Sequence, residues 1–270
     1  MSVETHVQQA LDRVRREQDH VADKTEAYES FERTVRETPC RSPTGGPRPG
    51  NASATDGFTA ATATAAGGPG RAEDRCEAVR EAFAETVRPC STADVDDPEP
   101  LVETMRSELG AELAATLAPH TAGQFTAETK RAVRAASADR RAELSVMDAA
   151  LAAETDALRD AETVVADVAD WLVDAEETPL SALGFDALRD RHERLAAHRN
   201  RCEGALCDRQ SFLAAATNRG AGTGISHRAL ASYLYADLPV EFPVLATCTR
   251  LLDVCLDAQR AVRAHLVRRV

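Results

Sequence analysis

The chain has 270 residues, a length that fits one or two domains, and carries a formal net charge of −12. This acidic balance disfavours a nucleic-acid groove, which needs clustered positive charge, and the sequence has no run of about eighteen apolar residues that would span a membrane. Only 4% of the residues are aromatic, so alanine, leucine and valine supply most of the apolar surface, as is typical of closely packed helices.

The basic residues are almost all arginine, since lysine accounts for only two of the 32. An acidic surface that uses arginine in place of lysine is typical of proteins from salt-loving archaea, where salt screens the repulsion between like charges. The amino-terminal residues lack the apolar core of a secretory signal, so we expect a cytoplasmic protein. We accordingly expect its seven cysteines to be free thiols.

The first predicted element is a helix over residues 3–37. Apolar side chains recur in alternating steps of four and three residues from Val7 to Val35, which is the spacing of a coiled-coil seam. Pro39 ends the helix, because proline has no backbone N–H to donate. The sequence therefore predicts a coiled-coil helix as the first domain, residues 1–38.

Residues 39–70 differ in composition from the rest of the chain. They hold seven of the fourteen glycines and five of the twelve prolines. Such a segment buries too little apolar surface to offset the entropy lost on ordering, so we predict a disordered linker. The sequence leaves open whether this linker carries a binding motif.

The third predicted region, residues 71–270, is a helical bundle domain. Its first helix covers 71–88 and ends at Pro89, and a second helix follows the acidic turn and continues to Leu117. The apolar positions of the first of these helices share one face: Cys76, Val79, Phe83 and Val87.

The longest predicted helix covers residues 127–176 and is capped by Thr126. Its heptad seam holds two charged residues, Arg140 and Glu154. Charged seam residues either set helix register and partner choice or extend their polar ends to solvent, and we favour the second interpretation.

Three further helices complete the pattern. Asp186 is the expected N-cap of a helix that continues to about residue 216, Ser226 caps a short helix, and the last helix covers 243–268. Long amphipathic helices joined by short turns predict an all-α fold: an elongated antiparallel helical bundle or coiled coil with a disordered linker.

His198 and Cys202 are weak candidates for metal ligands. They are four residues apart and so share one helix face, but a metal needs three or four converging ligands. Further ligands would have to come from another helix, for example from Cys248 or Cys255. We favour the interpretation that these thiols fill the core, and we predict no metal, no cofactor and no catalytic residue.

Cys40 and Cys90 both follow prolines at predicted helix ends. We expect them to be exposed, which leaves open a redox role or two incidental thiols.

Several segments together resemble a haloarchaeal family of uncharacterised helical proteins, known as a domain of unknown function. The resemblance covers nearly the whole chain outside residues 39–70 and implies a helical fold without implying an activity. The segments that carry it are VREAFAETV, PLVETMRSELGAELAATL, FTAETKRAV, LGFDALRDRHERLAAHRNRCEGALCDRQ and FPVLATCTRLLDVCLDAQRAVRAHL.

These features favour a non-enzymatic scaffold that binds a protein partner or forms a homo-oligomer through its heptad seams. The sequence contains no phosphate-binding loop, nucleophile elbow or zinc-protease motif. Two alternatives remain, a regulatory protein associated with DNA and a metal- or thiol-dependent sensor.

Overall fold

The computed structural model describes residues 5–40, 75–92, 99–119, 124–215 and 224–268. Within these ranges 85% of the residues are helical and no β-strand occurs, which confirms the predicted all-α fold. None of the described helices is both long and apolar enough to cross a bilayer. In chain order the α-helices are α1 (His6–Glu37), α2 (Arg75–Glu85), α3 (Val87–Ser91), α4 (Leu101–Leu109), α5 (Ala111–Leu117), α6 (Ala127–Glu176), α7 (Phe185–Ala214), α8 (His227–Leu234) and α9 (Pro243–Val267).

Two long helices have the buried faces expected from the sequence, although α1 begins at His6 rather than at residue 3. α6 begins and ends as predicted, and Oγ1 of Thr126 caps it by accepting a hydrogen bond from the backbone N–H of Thr129 at 3.1 Å. In α1, apolar side chains are buried at regular intervals along the helix, as expected of a helix with one apolar face. Its predicted seam is buried at Val7, Val14, Val21, Tyr28 and Val35.

The predicted helix over 71–88 is divided in two, and Pro89 does not end it. α2 stops at Glu85, and Pro89 lies within α3. A proline ring clashes with the carbonyl four residues earlier, here that of Glu85, so the break falls before the proline. Pro89 itself is tolerated because the first backbone N–H groups of a helix have no intrahelical acceptor.

Two other helix boundaries also differ from prediction. Gly110, with a φ of 95°, separates α4 from α5 where one helix was expected. Gly184, rather than Asp186, occupies the N-cap of α7, and Asp186 lies in the first turn, where the helix dipole favours a carboxylate. Ser226 caps α8 as predicted, because its side chain accepts a hydrogen bond from the backbone N–H of Ala229.

Contacts divide the chain into two compact units. Unit 1 comprises residues 1–22 and 145–270, and unit 2 comprises residues 23–144. The second half of α1 belongs to unit 2 because its apolar side chains share a core with α2 to α5. Nearly all of the predicted linker, residues 41–70, lies outside the described residues.

The core of unit 2 is built from apolar side chains of the short helices α2 to α5, of the second half of α1 and of the first part of α6. Phe31 and Phe83 pack edge to face, with ring centroids 5.5 Å apart and ring planes at 83°. The fully buried members of this core include Tyr28, Phe31, Val35, Val79, Phe83, Val87, Met105, Ala114, Leu117 and Val133.

Unit 1 packs the second half of α6 against α7 and α9. Two ion pairs, Glu154 with Arg209 and Asp167 with Arg201, join α6 to α7 in opposite sequence directions, so these helices are antiparallel. The amide nitrogen of Gln259 on α9 donates a hydrogen bond to the backbone carbonyl of His192 on α7. One core cluster contains Val168, Leu188, Leu195, Cys202, Cys255 and Val262.

Candidate functional site

A buried polar cluster in unit 1 joins α6, α7 and the end of α8. The guanidinium of Arg209 donates two hydrogen bonds to the carboxylate of Glu154, over 2.9 and 2.6 Å. The hydroxyl of Tyr235 donates a third to the same carboxylate. Glu154 and Tyr235 are fully buried, and Arg209 is 4% exposed. The carboxylate is therefore fully paired by a bidentate arginine and a phenol.

The position of Glu154 corrects one interpretation of the sequence. We expected its polar end to reach solvent from the heptad seam, but its exposure is 0%. Arg209 lies on the seam of α7 next to Glu154, and the two side chains neutralise each other's charge inside the protein. Burial first, and then the charge of Glu154, raise the pKa of Tyr235 far above its ordinary value, so this phenol remains a donor.

Two aromatic rings cover the Arg209 side of the cluster. The His227 and Phe212 rings stack with centroids 4.1 Å apart, and the guanidinium carbon of Arg209 lies 5.2 Å from the centroid of Phe212. Burial lowers the pKa of His227, and the charge of Arg209 lowers it further, whereas the charge of Glu154 opposes both effects. His227 is therefore kept neutral within the cluster.

An open cleft of about 400 Å³ lies beside this cluster, between α6 and α7. Arg209 and Phe212 line it, whereas the cleft residues do not include Glu154, Tyr235 or His227. The cluster thus turns its paired carboxylate inward and away from the cleft, a geometry suited to fixing the register of α6 and α7.

His198 and Cys202 are both buried, as expected of core-filling residues. The His198 ring stacks on Trp171 with centroids 4.8 Å apart, and neither ring nitrogen has a hydrogen-bond partner among the described residues. Burial is the main cause of the lowered pKa of His198. Burial likewise raises the pKa of the Cys202 thiol. These shifts keep the imidazole neutral and the thiol protonated.

Cys248 and Cys255 lie on α9 and are also fully buried. Burial, with a smaller contribution from Cys202, raises the pKa of each of these two thiols to about 11. No group of three or more histidine, cysteine, aspartate or glutamate side chains within the described ranges has the arrangement of a metal site.

Cys40 and Cys90 are partly buried, rather than exposed as we expected. Cys90 lies inside α3, where its thiol donates a long 3.9 Å hydrogen bond to the backbone carbonyl of Thr86. Burial raises the pKa of Cys90, which makes its thiol less reactive than a free cysteine. The cysteine that is exposed in the structure is Cys207.

Unit 2 holds a second polar cluster, which the sequence analysis did not identify. Its centre is Glu108, whose carboxylate accepts hydrogen bonds from Nζ of Lys24 at 2.7 Å and from the hydroxyl of Tyr28 at 2.6 Å. Arg140 adds a hydrogen bond from Nε to the backbone carbonyl of Glu108 at 2.9 Å. Arg140 therefore binds the end of α4 instead of simply extending into solvent.

Burial opposes ionisation of Glu108, but the hydrogen bonds from Lys24 and Tyr28 outweigh it and lower its pKa. The sequence analysis placed Tyr28 on the α1 seam and Arg140 on the α6 seam but did not bring them together, because periodicity cannot match partners that are far apart in the chain, such as those roughly eighty residues apart here.

A family model described as a domain of unknown function, DUF7260, matches residues 5–259. The chain belongs to this family. The match spans all the helices that form the two polar clusters and includes the cleft between α6 and α7. No curated protein and no solved structure matches the chain.

Proposed function

We propose that this DUF7260 protein is a non-enzymatic helical scaffold that acts through protein–protein contacts in the cytoplasm of a halophilic archaeon. The observation that carries the proposal is the pairing of Glu154 with Arg209 and Tyr235. These groups bond to one another across three helices, so their chemistry is used to position helices.

The composition supports the halophilic habitat. Aspartate and glutamate total 44 residues against 32 lysines and arginines, and an acidic surface remains soluble where molar salt shortens repulsion between charges. Seven free cysteines are in keeping with a reducing compartment.

Exposed apolar side chains of unit 1 support a role in protein contacts. Phe185 is 49% exposed, and Val267 is 77% exposed. Partners of a scaffold commonly cover such residues, because burying apolar surface stabilises association. Association with a second copy of the chain through such exposed side chains is the form we expect, because the predicted seam of α1 is already buried within the chain.

Size-exclusion chromatography with light scattering in high salt tests the proposal. We expect a mass above the 29.0 kDa of one chain, and a shift towards that mass in the double variant Phe185→Ser, Val267→Ser. The matched control is Ala138→Ser, Ala142→Ser, which changes two exposed positions of α6 in unit 2.

A strict monomer that co-purifies with no partner from its native host would contradict the scaffold role. An unchanged mass in the Phe185 and Val267 variant would instead reject these two residues as contacts.

A further inference from the structure

One end of unit 1 leaves apolar side chains of three helices exposed, and we call this surface the exposed end of unit 1. Core side chains near the end of α6, the start of α7 and the end of α9 pack in one cluster, so these helix ends lie together. The apolar residues left exposed beside that cluster are Val173 at 64%, Phe185 at 49% and Val267 at 77%. Covering them with another protein surface would stabilise association.

The two exposed valines lie beside charges of opposite sign. On α6, Asp170 precedes Val173 by three residues and Asp174 follows it directly, so the three share one exposed face. On α9, an arginine precedes Val267 by four residues and another follows it directly. The end of α6 therefore presents a valine between two carboxylates, and the end of α9 presents a valine between two guanidinium groups.

These four charges are not used within the part of the chain that the structure describes. Asp170 and Asp174 form no ion pair with a described residue, and neither do the two arginines, Arg263 and Arg268. The preceding arginine of α9, by contrast, is already paired within its own helix. Charges of both signs thus remain available to a partner at the exposed end of unit 1.

A second copy of the chain fits this arrangement better than a partner of uniform charge. A chain with a net charge of −12 repels its own copy unless basic side chains of one meet acidic side chains of the other. A two-fold arrangement makes this contact twice, because each copy contributes one acidic α6 end and one basic α9 end. A uniformly acidic or basic partner would match one of these ends and face like charge at the other.

We propose that a second copy of this chain docks on the exposed end of unit 1 about a two-fold axis, with the α9 end of each copy against the α6 end of the other. The apolar side chains supply most of the affinity, and the charges fix the orientation. This inference rests on the scaffold role proposed above and specifies its partner and its docking surface.

Reversing the charge on one side of the contact tests the proposal. One variant is Arg263→Glu, Arg268→Glu, and the other is Asp170→Lys, Asp174→Lys. Light scattering is measured against concentration in the lowest salt at which the circular dichroism spectrum stays helical, because salt screens exposed charges. We expect the unchanged protein to reach twice 29.0 kDa, and each variant alone to dimerise with a Kd raised roughly tenfold or more, since both contacts then join like charges.

Mixing the two variants separates a lost contact from a lost fold. In a mixed dimer the glutamates of one chain face the lysines of the other, and the second contact is that of the unchanged protein. We expect the equimolar mixture to recover the mass of two chains, and an affinity tag on one variant to retain the other. A variant that failed to fold would not be rescued by its counterpart.

The matched control is Asp148→Lys, Asp160→Lys, which makes the same change of charge at two other exposed positions of α6. These positions lie roughly 20–40 Å from Asp174 at the helical rise of about 1.5 Å per residue. The control variant should dimerise at least as strongly as the unchanged protein.

An unchanged Kd in either reversed variant, or a mixture that stays monomeric, would overturn the proposal and leave the scaffold role intact. A monomeric unchanged protein would also overturn it. In that case the scaffold role would survive only if the protein binds a defined partner of another kind.

Discussion

The two polar clusters of the molecule differ in how far they are removed from water. In unit 1 the side chains of Glu154 and Arg209 are 0% and 3% exposed, whereas in unit 2 those of Glu108 and Lys24 are 10% and 18% exposed. The more deeply buried pair gains more from mutual attraction, but removing one of its partners also destabilises the folded protein more. The two clusters should therefore differ most when one partner is deleted.

The largest expected effect is that of Arg209→Met. This change leaves the carboxylate of Glu154 buried beside a single phenol donor, and breaking a buried pair in this way costs about 3–5 kcal/mol. Urea unfolding at fixed high salt measures the loss of unfolding free energy.

A triple variant tests whether the stability lost in Arg209→Met is due to an unpaired buried charge. With Glu154→Leu, Arg209→Met and Tyr235→Phe all three polar groups are removed together, so no buried charge or hydroxyl is left unpaired. We expect most of the stability lost in Arg209→Met to return. If the triple variant were no more stable than Arg209→Met, the loss in the single variant would not come from an unpaired buried carboxylate.

A smaller effect is expected in unit 2 from Glu108→Gln. The amide keeps an acceptor for Lys24 and Tyr28 but removes the charge, and partial exposure limits the loss to about 1–2 kcal/mol. Glu143→Gln is the matched control, because Glu143 is 65% exposed beside Arg140, and it should change stability by less than about 0.5 kcal/mol. Equal losses in the two variants would remove the distinction between buried and exposed carboxylates here.

Glu108 should also make the stability of unit 2 depend on pH in the acidic range. Its pKa is lowered in the folded state from an ordinary value of 4.5, so the folded chain holds the proton less tightly than the unfolded chain. The stability it provides is present above pH 4.5 and is lost as the pH falls through the lower, folded value. Glu108→Gln should flatten this part of a stability–pH profile.

Unit 1 should show its pH dependence in a higher range, because of two buried histidines. The pKa values of His198 and His227 are lowered from an ordinary 6.5, mainly by burial. The unfolded chain therefore takes up protons first, and stability falls as the pH drops below 6.5 towards the folded values.

The variant His198→Phe, His227→Phe tests this assignment. Phenylalanine preserves the stacking on Trp171 and Phe212 and removes the titration, so the decline in stability below pH 6.5 should become shallower. Glu108→Gln should retain that decline. The same slope in the phenylalanine variant and the unchanged protein would show that other groups cause it.

The polar clusters also show what the sequence could and could not predict. Apolar spacing predicted the buried face of α1 and the bounds of α6, because these depend on neighbours three and four residues apart. It placed Glu154 on a seam but not beside Arg209, since pairing two seams requires the register between helices. The breaks at Thr86 and Gly110 depend on local backbone geometry that periodicity does not include.

The smallest expected effects come from one glycine in each unit, and they should have opposite signs. Gly204 lies inside α7 with open space around it, so Gly204→Ala should stabilise unit 1 by about 0.5–1 kcal/mol through helix propensity. Gly110 has a φ of 95°, which alanine adopts only with strain, so Gly110→Ala should destabilise unit 2 by about 1 kcal/mol or more. Thermal unfolding of both variants in the same buffer gives the two signs directly. A stabilised Gly110→Ala variant would mean that α4 and α5 can join into the single helix predicted by their shared apolar stripe, and that the break between them depends on glycine alone.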